Sequence, residues 1–524
     1  MNVKIKRALI SVSDKTGAND FAQQLYARNI EILSTGGSAK HLSEQNVPIV
    51  QISQYTNTPE MMGGRVKTLH PKIHGGLLID RDNPEHINDM NEHNILPIDL
   101  LIVNLYPFEK TTQASTDFIT CIENIDIGGP AMIRSAAKNH NHVLVIVDPN
   151  DYNHVIKEID SNNGSTTLEF RRQMATKAFA RTGAYDAEIS QWLAQNSNDM
   201  FPDYIAVGGK LKYKLRYGEN PHQSAAFYTS NDGKPSIGSA KQLQGKELSF
   251  NNLNDTDAAF DLVSEFAETP ACAVIKHANP SGVATGKTLA EAYDKALQSD
   301  PLSAYGGIVA FNKTLNAETA SKFLTAYTEV IIAPAISDEA QKILNQKSDI
   351  RLLVTGGIPN VNRTGILTKT VSGGMLVQTR DNLQTSLPIK VVTHRTPSDK
   401  EMQDMVFAFT VCKHVKSNAI VYAKNCATIG IGAGQMSRVD SCKIAAWKAD
   451  EVAKTSKSVE QPTLGAVVAS DAFFPFADGI LAVKEAGATA IIQPGGSIRD
   501  KEIIDVANEN SLAMVFTDTR HFKH

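Results

Sequence analysis

A lysine and a histidine stand side by side in the second half of the chain, directly after a short apolar run. The run covers residues 273–275, and Lys276 and His277 follow it. An imidazole titrates near neutral pH and takes up a proton, while an ammonium group stabilises developing negative charge. The segment at residues 216–223 is polar and contains glycine and proline, which is typical of a binding loop. These residues predict general-base chemistry on a bound substrate.

A group of basic residues near the N-terminus favours anion binding. Residues 63–72 open with two glycines and contain no acidic residue. Their basic members are Arg65, Lys67, His70 and Lys72. A solvated basic face remains the alternative, although such faces more often carry interleaved acids.

The sequence Ser-Thr-Gly-Gly-Ser at residues 34–38 is predicted to join a strand to a helix. Lys15 falls in the preceding strand-to-helix turn. Backbone N–H groups at a helix N-terminus bind phosphate, so we interpret this segment as a phosphate-binding loop. Two ordinary turns are the alternative.

Further polar residues follow a predicted buried strand at residues 99–104. Tyr106 stands at its carboxyl end, where open α/β sheets present ligand contacts. Asp126, Arg134 and Lys138 add an acid and two cations to this part of the chain.

Two more glycine-rich segments are predicted as loops after strands. Residues 281–288 resemble a P-loop, but Ser281 stands where the first glycine belongs. Residues 430–436 resemble a dinucleotide-binding fingerprint, but Gln435 replaces its third glycine. ATP hydrolysis is therefore disfavoured at the first segment, and a structural turn is an equal alternative at the second.

The elements that must position these groups indicate an α/β protein. Apolar runs at residues 8–12, 99–104 and 142–147 predict buried strands, and residues 166–195 predict a long closing helix. The polar, proline-containing segment at residues 196–203 predicts a boundary between a domain at 1–199 and a domain at 200–524. The second domain has further strand-like runs at residues 273–275, 307–311, 428–431 and 465–469, and its length predicts two packed α/β subdomains.

Composition excludes several classes of protein. With 524 residues, 42% hydrophobic and 21% charged, the chain has the composition of a packed protein of two or three domains rather than a disordered one. A net charge of −4 argues against nucleic acid or an anionic membrane as the main partner. The five scattered cysteines, without a CxxC pair, predict free thiols, and no run approaches about 18 apolar residues. We expect a cytoplasmic protein.

Taken together, these strings resemble the bifunctional family of aminoimidazole carboxamide ribonucleotide (AICAR) transformylase and inosine monophosphate (IMP) cyclohydrolase. Residues 11–17, 63–71, 125–129 and 136–140 resemble the cyclohydrolase half, and residues 216–223, 276–280, 429–435 and 470–476 resemble the transformylase half. The resemblance implies a methylglyoxal-synthase-like domain followed by two cytidine-deaminase-like subdomains. It also implies a homodimer, nucleotide and folate substrates with 10-formyltetrahydrofolate as co-substrate, and no catalytic metal.

The resemblance assigns roles to residues at matching positions. In transformylation, His277 is the base, Lys276 supports the oxyanion or protonates the departing folate nitrogen, and Asn418 and His524 orient the carboxamide. In cyclisation, the catalytic residues are Lys67, Tyr106, Asp126 and Lys138. The nucleotide-binding residues of the first domain are Lys15, Ser34, Gly36, Gly37, Ser38 and Arg65. The substrate-binding residues of the second domain are Arg216, Tyr217, His222, Arg438, Phe473, Phe476, Asp478 and Arg520.

Two other functions remain as alternatives. A nucleotide deaminase is suggested only by the implied subdomain fold, and the zinc-site signature HxE with PCxxC is absent from the sequence. A non-catalytic folate or nucleotide sensor would keep the binding loops, but it would not require Lys276, His277 and Lys67.

Overall fold

In the computed structural model the chain forms two α/β units, Met1–Lys210 and Leu211–His524. The structure describes residues 2–197, 199–230, 233–383, 389–455 and 461–524. The predicted boundary segment at residues 196–203 includes residue 198, which lies outside the described residues. Within the described ranges, no helix is long and apolar enough to cross a membrane.

The elements of the first unit alternate between strands and helices, as predicted. Its strands are β1 (Val3–Lys4), β2 (Arg7–Val12), β3 (Glu31–Ser34), β4 (Val50–Gln51), β5 (Leu100–Asn104), β6 (Leu144–Ile146) and β7 (Ser165–Thr166). Its α-helices are α1 (Ala18–Tyr26), α2 (Gly36–Glu44), α3 (Ile52–Thr56), α4 (Pro71–Leu78), α5 (Pro84–Glu92), α6 (Phe108–Ala114), α7 (Phe118–Glu123), α8 (Gly128–Lys138), α9 (Tyr152–Ser161) and α10 (Leu168–Asn196). Short 3₁₀ turns occupy Met62–Gly64 and Pro149–Asp151.

A parallel sheet forms the centre of the first unit, with the described strands in the order β4-β3-β2-β5-β6. Helices α1 and α9 bury one face, and α8 and α10 bury the other, which is why the strands are nearly continuous apolar runs. From β2 the chain continues to β3 on one side, and from β5 it continues to β6 on the other. The loops after β2 and β5 therefore diverge, and open α/β sheets bind ligands at such a point.

The strands predicted at residues 8–12, 99–104 and 142–147 are confirmed as β2, β5 and β6, and the predicted closing helix is α10. This helix begins at Leu168 because the hydroxyl of Thr167 accepts the N–H of Phe170 as an N-cap, at 3.3 Å.

The second unit begins with a strand that starts at the last residue of the first. Its strands are β8 (Lys210–Leu215), β9 (Ala225–Thr229), β10 (Lys241–Gln244), β11 (Ala271–Lys276), β12 (Asn279–Thr285), β13 (Ile308–Phe311), β14 (Val330–Ala333), β15 (Arg351–Val354), β16 (Ile366–Val371), β17 (Gly374–Thr379), β18 (Lys390–Val391), β19 (Ile420–Lys424), β20 (Ala427–Gly432), β21 (Val467–Ser470), β22 (Ala490–Gln493) and β23 (Ala513–Phe516). Its helices are α11 (Phe250–Ser264), α12 (Leu289–Ser299), α13 (Pro301–Ala304), α14 (Ala317–Lys322), α15 (Asp338–Leu344), α16 (Asp399–Cys412), α17 (Arg438–Thr455), α18 (Ala477–Glu485) and α19 (Asp500–Glu509).

One sheet of twelve described strands crosses the second unit, in the order β10-β15-β14-β13-β11-β12-β20-β19-β21-β22-β23-β18. Each half has the same plan: a central hairpin, then three strands, then one edge strand. Helices α11 and α16 lie over a common core on one face, while α12 and α17 cover separate cores on the other. The predicted pair of α/β halves is present, and the halves share a continuous sheet.

Two glycine-rich segments that were predicted as loops begin inside strands, and only residues 286–288 and 433–436 of them lie in connections before helices. Residues 281–285 belong to β12, and residues 430–432 belong to β20. A Cβ atom on Gly282 would lie 1.9 Å from the carbonyl oxygen of Ala296 in α12, and one on Gly430 would lie 2.1 Å from that of Ala445 in α17. These glycines therefore allow a helix to pack closely on a strand, and they do not form phosphate-binding turns.

Candidate active sites

The loops after β2 and β3 meet at the carboxyl edge of the first sheet. The hydroxyl of Ser34 donates to the carbonyl of Ile10 at 2.8 Å, and the hydroxyl of Ser38 lies 2.9 Å from both the N–H and the carbonyl oxygen of Val12. These hydroxyls hold the loop in place. What remains available for an anion is the backbone at Gly36 and Gly37, at the beginning of α2.

An asparagine at the end of β5 fixes the turn that carries Lys15. The side-chain oxygen of Asn104 accepts the N–H groups of Ser13 and Asp14 at 2.7 and 2.9 Å, and its amide donates to the carbonyl of Asp14 at 2.8 Å. Lys15 is exposed on this turn. Sequence reasoning missed Asn104, because only the adjacency of β2 and β5 gives it this role.

The side chain of Lys67 reaches the predicted phosphate-binding loop. A Cβ atom on Gly36 would lie 2.9 Å from the ammonium nitrogen of Lys67, so a larger residue at this position would displace the lysine side chain. Gly36 also has a positive φ of 42°, which other residues rarely adopt. The same region forms a pocket lined by Ser34, Thr35, Gly36, Lys67 and His70, among other residues.

Asp126 and Tyr106 lie together near the N-terminus of α8. The Asp126 carboxylate accepts the N–H of Gly129 at 2.8 Å, and its own N–H donates to the hydroxyl of Tyr185 at 2.8 Å. Burial raises the pKa of the Asp126 carboxyl, while hydrogen bonds from backbone N–H groups and the charge of Lys67 oppose this rise. Burial and the negative charge of Asp126 raise the pKa of Tyr106. The structure thus brings Asp126 into electrostatic range of both Lys67 and Tyr106.

Two other predicted residues of the first unit have different surroundings. The guanidinium of Arg65 forms an ion pair with Glu123, an acid that lies far away in the sequence. Lys138 is exposed at the C-terminal end of α8, roughly 15 Å of helix rise from Gly128. The structure does not place Lys138 beside Asp126.

In the second unit, Lys276 and His277 occupy the tip of the β11–β12 hairpin. His277 and Ala278 are its two turn residues, with positive φ angles of 54° and 57°. The Lys276 ammonium donates to the carbonyl of Tyr305 at 2.8 Å, and the His277 side chain is exposed.

A cavity of about 1240 Å³ lies next to this hairpin. Its lining includes Tyr305 together with Arg216 and Tyr217 from the predicted binding loop. The Arg216 guanidinium lies 4.7 Å from the centre of the Tyr217 ring and donates to its hydroxyl at 3.0 Å. The lining also includes Asn252 and Glu329, joined by a hydrogen bond of 2.8 Å. Sequence reasoning missed this pair, which only the adjacency of α11 and β14 brings together.

Asn418 and Arg438 form a polar cluster near the middle of the sheet. The buried Arg438 guanidinium donates to the side chains of Asn418 at 2.9 Å and Asp471 at 2.7 Å. The amide of Asn418 donates to the carbonyl oxygens of Gln435 and Met436 at 2.9 and 3.1 Å. Arg438 therefore orients Asn418, a role that its spacing in the sequence did not predict.

The C-terminal segment is attached to the same cluster. The N–H of Ser417 donates to the carbonyl of Lys523 at 2.9 Å, and the N–H of Lys523 donates to the Ser417 hydroxyl at 3.2 Å. The N–H of Lys416 donates to the Asn279 side chain at 3.0 Å, which links this cluster to the hairpin of His277. The structure thus brings the hairpin, Asn418 and the segment that ends at His524 into one region.

The remaining predicted residues of the second unit are exposed. Phe473 and Phe476 are 37% and 51% exposed, unlike the buried Phe474 between them. Asp478 lies in the first turn of α18, and the Arg520 guanidinium stacks on Phe522 at 4.7 Å. His222 is exposed in the loop after β8.

Comparisons with known proteins connect both units to one family. A family model described as AICARFT/IMPCHase bienzyme matches residues 136–448, and one described as MGS-like domain matches residues 17–131. Proteins named bifunctional purine biosynthesis protein PurH are similar over the full length. The one from Rhodospirillum rubrum is 58% identical, covering 100% of this chain and 99% of the relative, and the one from Parvibaculum lavamentivorans is 58% identical, covering 99% and 97%.

Proposed function

The chain belongs to the AICARFT/IMPCHase bienzyme family, and we propose that its two reactions take place at the two sites described above. It is a bifunctional enzyme of purine biosynthesis, with AICAR formyltransferase and IMP cyclohydrolase activities. One observation carries the assignment of the sites. Asp126 lies near Lys67 and Tyr106 in the first unit, while the hairpin of Lys276 and His277 lies near Asn418 and the C-terminal segment in the second. We assign cyclisation to the first unit and formyl transfer to the second, with the domain boundary near residues 199–200.

Formyl transfer requires help because the amine of AICAR is conjugated with an aromatic ring and is a poor nucleophile. We assign the removal of its proton to His277 as the amine nitrogen attacks the formyl carbon of 10-formyltetrahydrofolate. Lys276 then stabilises the oxyanion or protonates the folate nitrogen as its bond to the formyl carbon breaks, which releases tetrahydrofolate. Positioned proton transfer of this kind contributes roughly 10²- to 10⁴-fold.

We assign substrate binding in the second unit to residues around the cavity and the polar cluster. Arg216 and Tyr217 line the cavity, and a guanidinium matches the geometry of a phosphate. Asn418 and His524 orient the carboxamide, and Arg438 supports Asn418 through their observed hydrogen bond. His222, Phe473, Phe476, Asp478 and Arg520 complete the proposed nucleotide and folate contacts.

Cyclisation joins the carboxamide nitrogen to the formyl carbon and expels the formyl oxygen as water. We assign the charge stabilisation and proton exchange of this reaction to Lys67, Tyr106 and Asp126, with Lys138 as a further participant. The raised pKa of Asp126 suits a carboxyl group that exchanges protons. Lys15, Arg65 and the loop of Ser34, Gly36, Gly37 and Ser38 bind the nucleotide.

The family also leads us to propose 10-formyltetrahydrofolate as co-substrate, a homodimer, a cytoplasmic location and no catalytic metal. All five cysteines, which lie within the described residues, are free thiols, as a reducing compartment favours. The duplicated halves are compatible with two cytidine-deaminase-like subdomains.

One assay tests the proposed function. The purified chain is supplied with AICAR and 10-formyltetrahydrofolate, and tetrahydrofolate and IMP are measured. We expect both products in equal amounts, whereas a deaminase would require stoichiometric zinc and a sensor would form neither product. The absence of both products with folded protein would contradict the proposal.

A further inference from the structure

The hairpin that carries His277 has a counterpart in the other half of the second unit. In β11–β12 the turn residues are His277 and Ala278, with φ angles of 54° and 57°. In β19–β20 they are Asn425 and Cys426, with φ angles of 57° and 51°. Both hairpins therefore have a two-residue turn in the left-handed region.

The lysines before the two turns also correspond. The Lys276 ammonium donates to the carbonyl of Tyr305 at 2.8 Å, and the Lys424 ammonium donates to the carbonyl of Leu464 at 3.0 Å. This contact is therefore a shared structural feature of the hairpins. What distinguishes the first hairpin is the imidazole at position 277, where the second has an amide.

An aspartate on the adjacent helix holds each turn. Asp255 of α11 accepts the N–H groups of His277 at 3.0 Å and Ala278 at 2.9 Å, one on each carboxylate oxygen. Asp404 of α16 accepts those of Asn425 at 2.9 Å and Cys426 at 2.6 Å in the same arrangement.

These contacts matter because the turn conformation is unfavourable for its residues. Two-residue turns with positive φ at both positions strongly prefer sequences such as Asn-Gly, since a Cβ atom disfavours the left-handed region. His-Ala departs from that preference, with an alanine where glycine is favoured. A carboxylate that accepts both N–H groups compensates for this, and it fixes the direction in which the His277 side chain leaves the backbone.

We infer that Asp255 is a positioning residue for formyl transfer, because its carboxylate holds the turn that presents the His277 imidazole. This inference rests on the proposed function, in which His277 is the base. Asp255 itself is not assigned any contact with substrate.

The test measures formyl transfer and cyclisation in the full-length protein. Asp255→Ala is expected to lower kcat for formyl transfer by about 10- to 100-fold, the effect of misplacing a catalytic group by about 1 Å. Cyclisation of supplied formylated AICAR should be unchanged. Asp404→Ala is the matched control, since it removes the same two hydrogen bonds from a hairpin without the imidazole, and it should leave kcat for formyl transfer unchanged.

A second substitution separates positioning from a general loss of structure. Glycine adopts positive φ at no steric cost, so Ala278→Gly should restore part of the kcat lost in Asp255→Ala. If either alanine variant fails to fold, Asp255→Asn and Asp404→Asn replace them, since each amide keeps one acceptor oxygen. The same ordering of rates is then expected, with a smaller loss for Asp255→Asn.

Two results would overturn the role of Asp255 and leave the proposed function intact. One is a normal rate of formyl transfer in Asp255→Ala while His277→Ala is inactive, and the other is an equal loss of kcat for formyl transfer in the Asp255 and Asp404 variants. Normal formyl transfer in His277→Ala would instead overturn the assignment of the base, on which the inference depends. The two failures are therefore distinguishable.

Discussion

His277 is the residue on which the assignment of formyl transfer depends most. His277→Ala removes the proposed base and should lower the rate of formyl transfer by roughly 10²- to 10⁴-fold. The side chain is exposed, so its loss leaves the packing of the hairpin intact. The variant should still cyclise supplied formylated AICAR, measured as IMP formation. Loss of both activities in a folded protein would contradict the separation of the two sites.

Asp126 gives a prediction that links activity to stability. Burial raises the pKa of the Asp126 carboxyl in the folded state. The contribution of this group to folding stability is therefore fully present below 3.8, the ordinary pKa of an aspartate, and is lost as pH rises through the raised pKa. At neutral pH the buried charge therefore costs stability. Asp126→Asn removes that charge and retains an acceptor for the N–H of Gly129.

Thermal unfolding of Asp126→Asn should accordingly show higher stability than the parent at pH 7, with the difference vanishing below pH 3.8. Its cyclisation rate should fall by about 10²-fold or more. Tyr185→Phe is a useful comparison, because it removes the hydroxyl that accepts the Asp126 N–H without changing charge. Normal cyclisation by Asp126→Asn would exclude a catalytic role for Asp126.

At the scale of single residues, the sequence only partly predicted which side chains contact each other. Lys67 and the Ser-Thr-Gly-Gly-Ser loop were both recognised as anion-binding, but their contact at Gly36 depends on the loop after β4. The pairing of Arg65 with Glu123 also needs the tertiary structure, since the local sequence contains no acid. Types of residue can be read from sequence, whereas their partners come from the packing of distant elements.

Among the elements, strands were predicted more reliably than glycine-rich connections. Buried parallel strands are continuous apolar runs, so β2, β5 and β6 stood out. Gly282 and Gly430 were misassigned because a glycine required for close helix packing looks the same in sequence as one required for a turn. The distinction needs the position of the neighbouring helix.

The C-terminal segment is an element whose last residue can be tested separately. Lys523 and His521 attach this segment to the rest of the unit. The His521 ring forms a hydrogen bond with the Asp381 carboxylate at 2.6 Å, and the backbone N–H of His521 donates to the carbonyl of Asp471 at 3.0 Å. Deleting His524 leaves these contacts in place. We expect formyl transfer to fall by on the order of 10- to 100-fold, the scale of a lost orienting contact, with cyclisation unchanged. An unaltered rate of formyl transfer would exclude the role given to His524.

For the whole molecule, the sequence predicted two α/β halves in the second unit but not their shared sheet. Alternating strands and helices indicate α/β structure, yet they do not show that β12 pairs with β20. The duplication also became visible only in the structure, through the matching strand order and the matching hairpin turns, since the two halves have no obvious repeat in sequence. That duplication supplies the control variant at Asp404.

The first unit should fold without the second, and the residues that follow α10 should add to its stability. Residues 206–208 pack back on α10, where Gln191 donates to the carbonyl of Ala206 at 2.9 Å and a Cβ atom on Gly208 would lie 2.9 Å from the Cα of Ala184. A fragment of residues 1–210 should therefore be more stable than the predicted domain of residues 1–199, because it keeps these contacts. Thermal unfolding of the two fragments measures the difference.

The central claim is that cyclisation belongs to the first unit and formyl transfer to the second. The most direct measurement is the rate at which the 1–210 fragment converts supplied formylated AICAR to IMP. The proposed catalytic groups and nucleotide-binding residues of cyclisation all lie within this fragment. We predict a rate comparable with that of the intact chain and no formyl transfer from 10-formyltetrahydrofolate. A fragment that unfolds cooperatively but forms no IMP would contradict the claim.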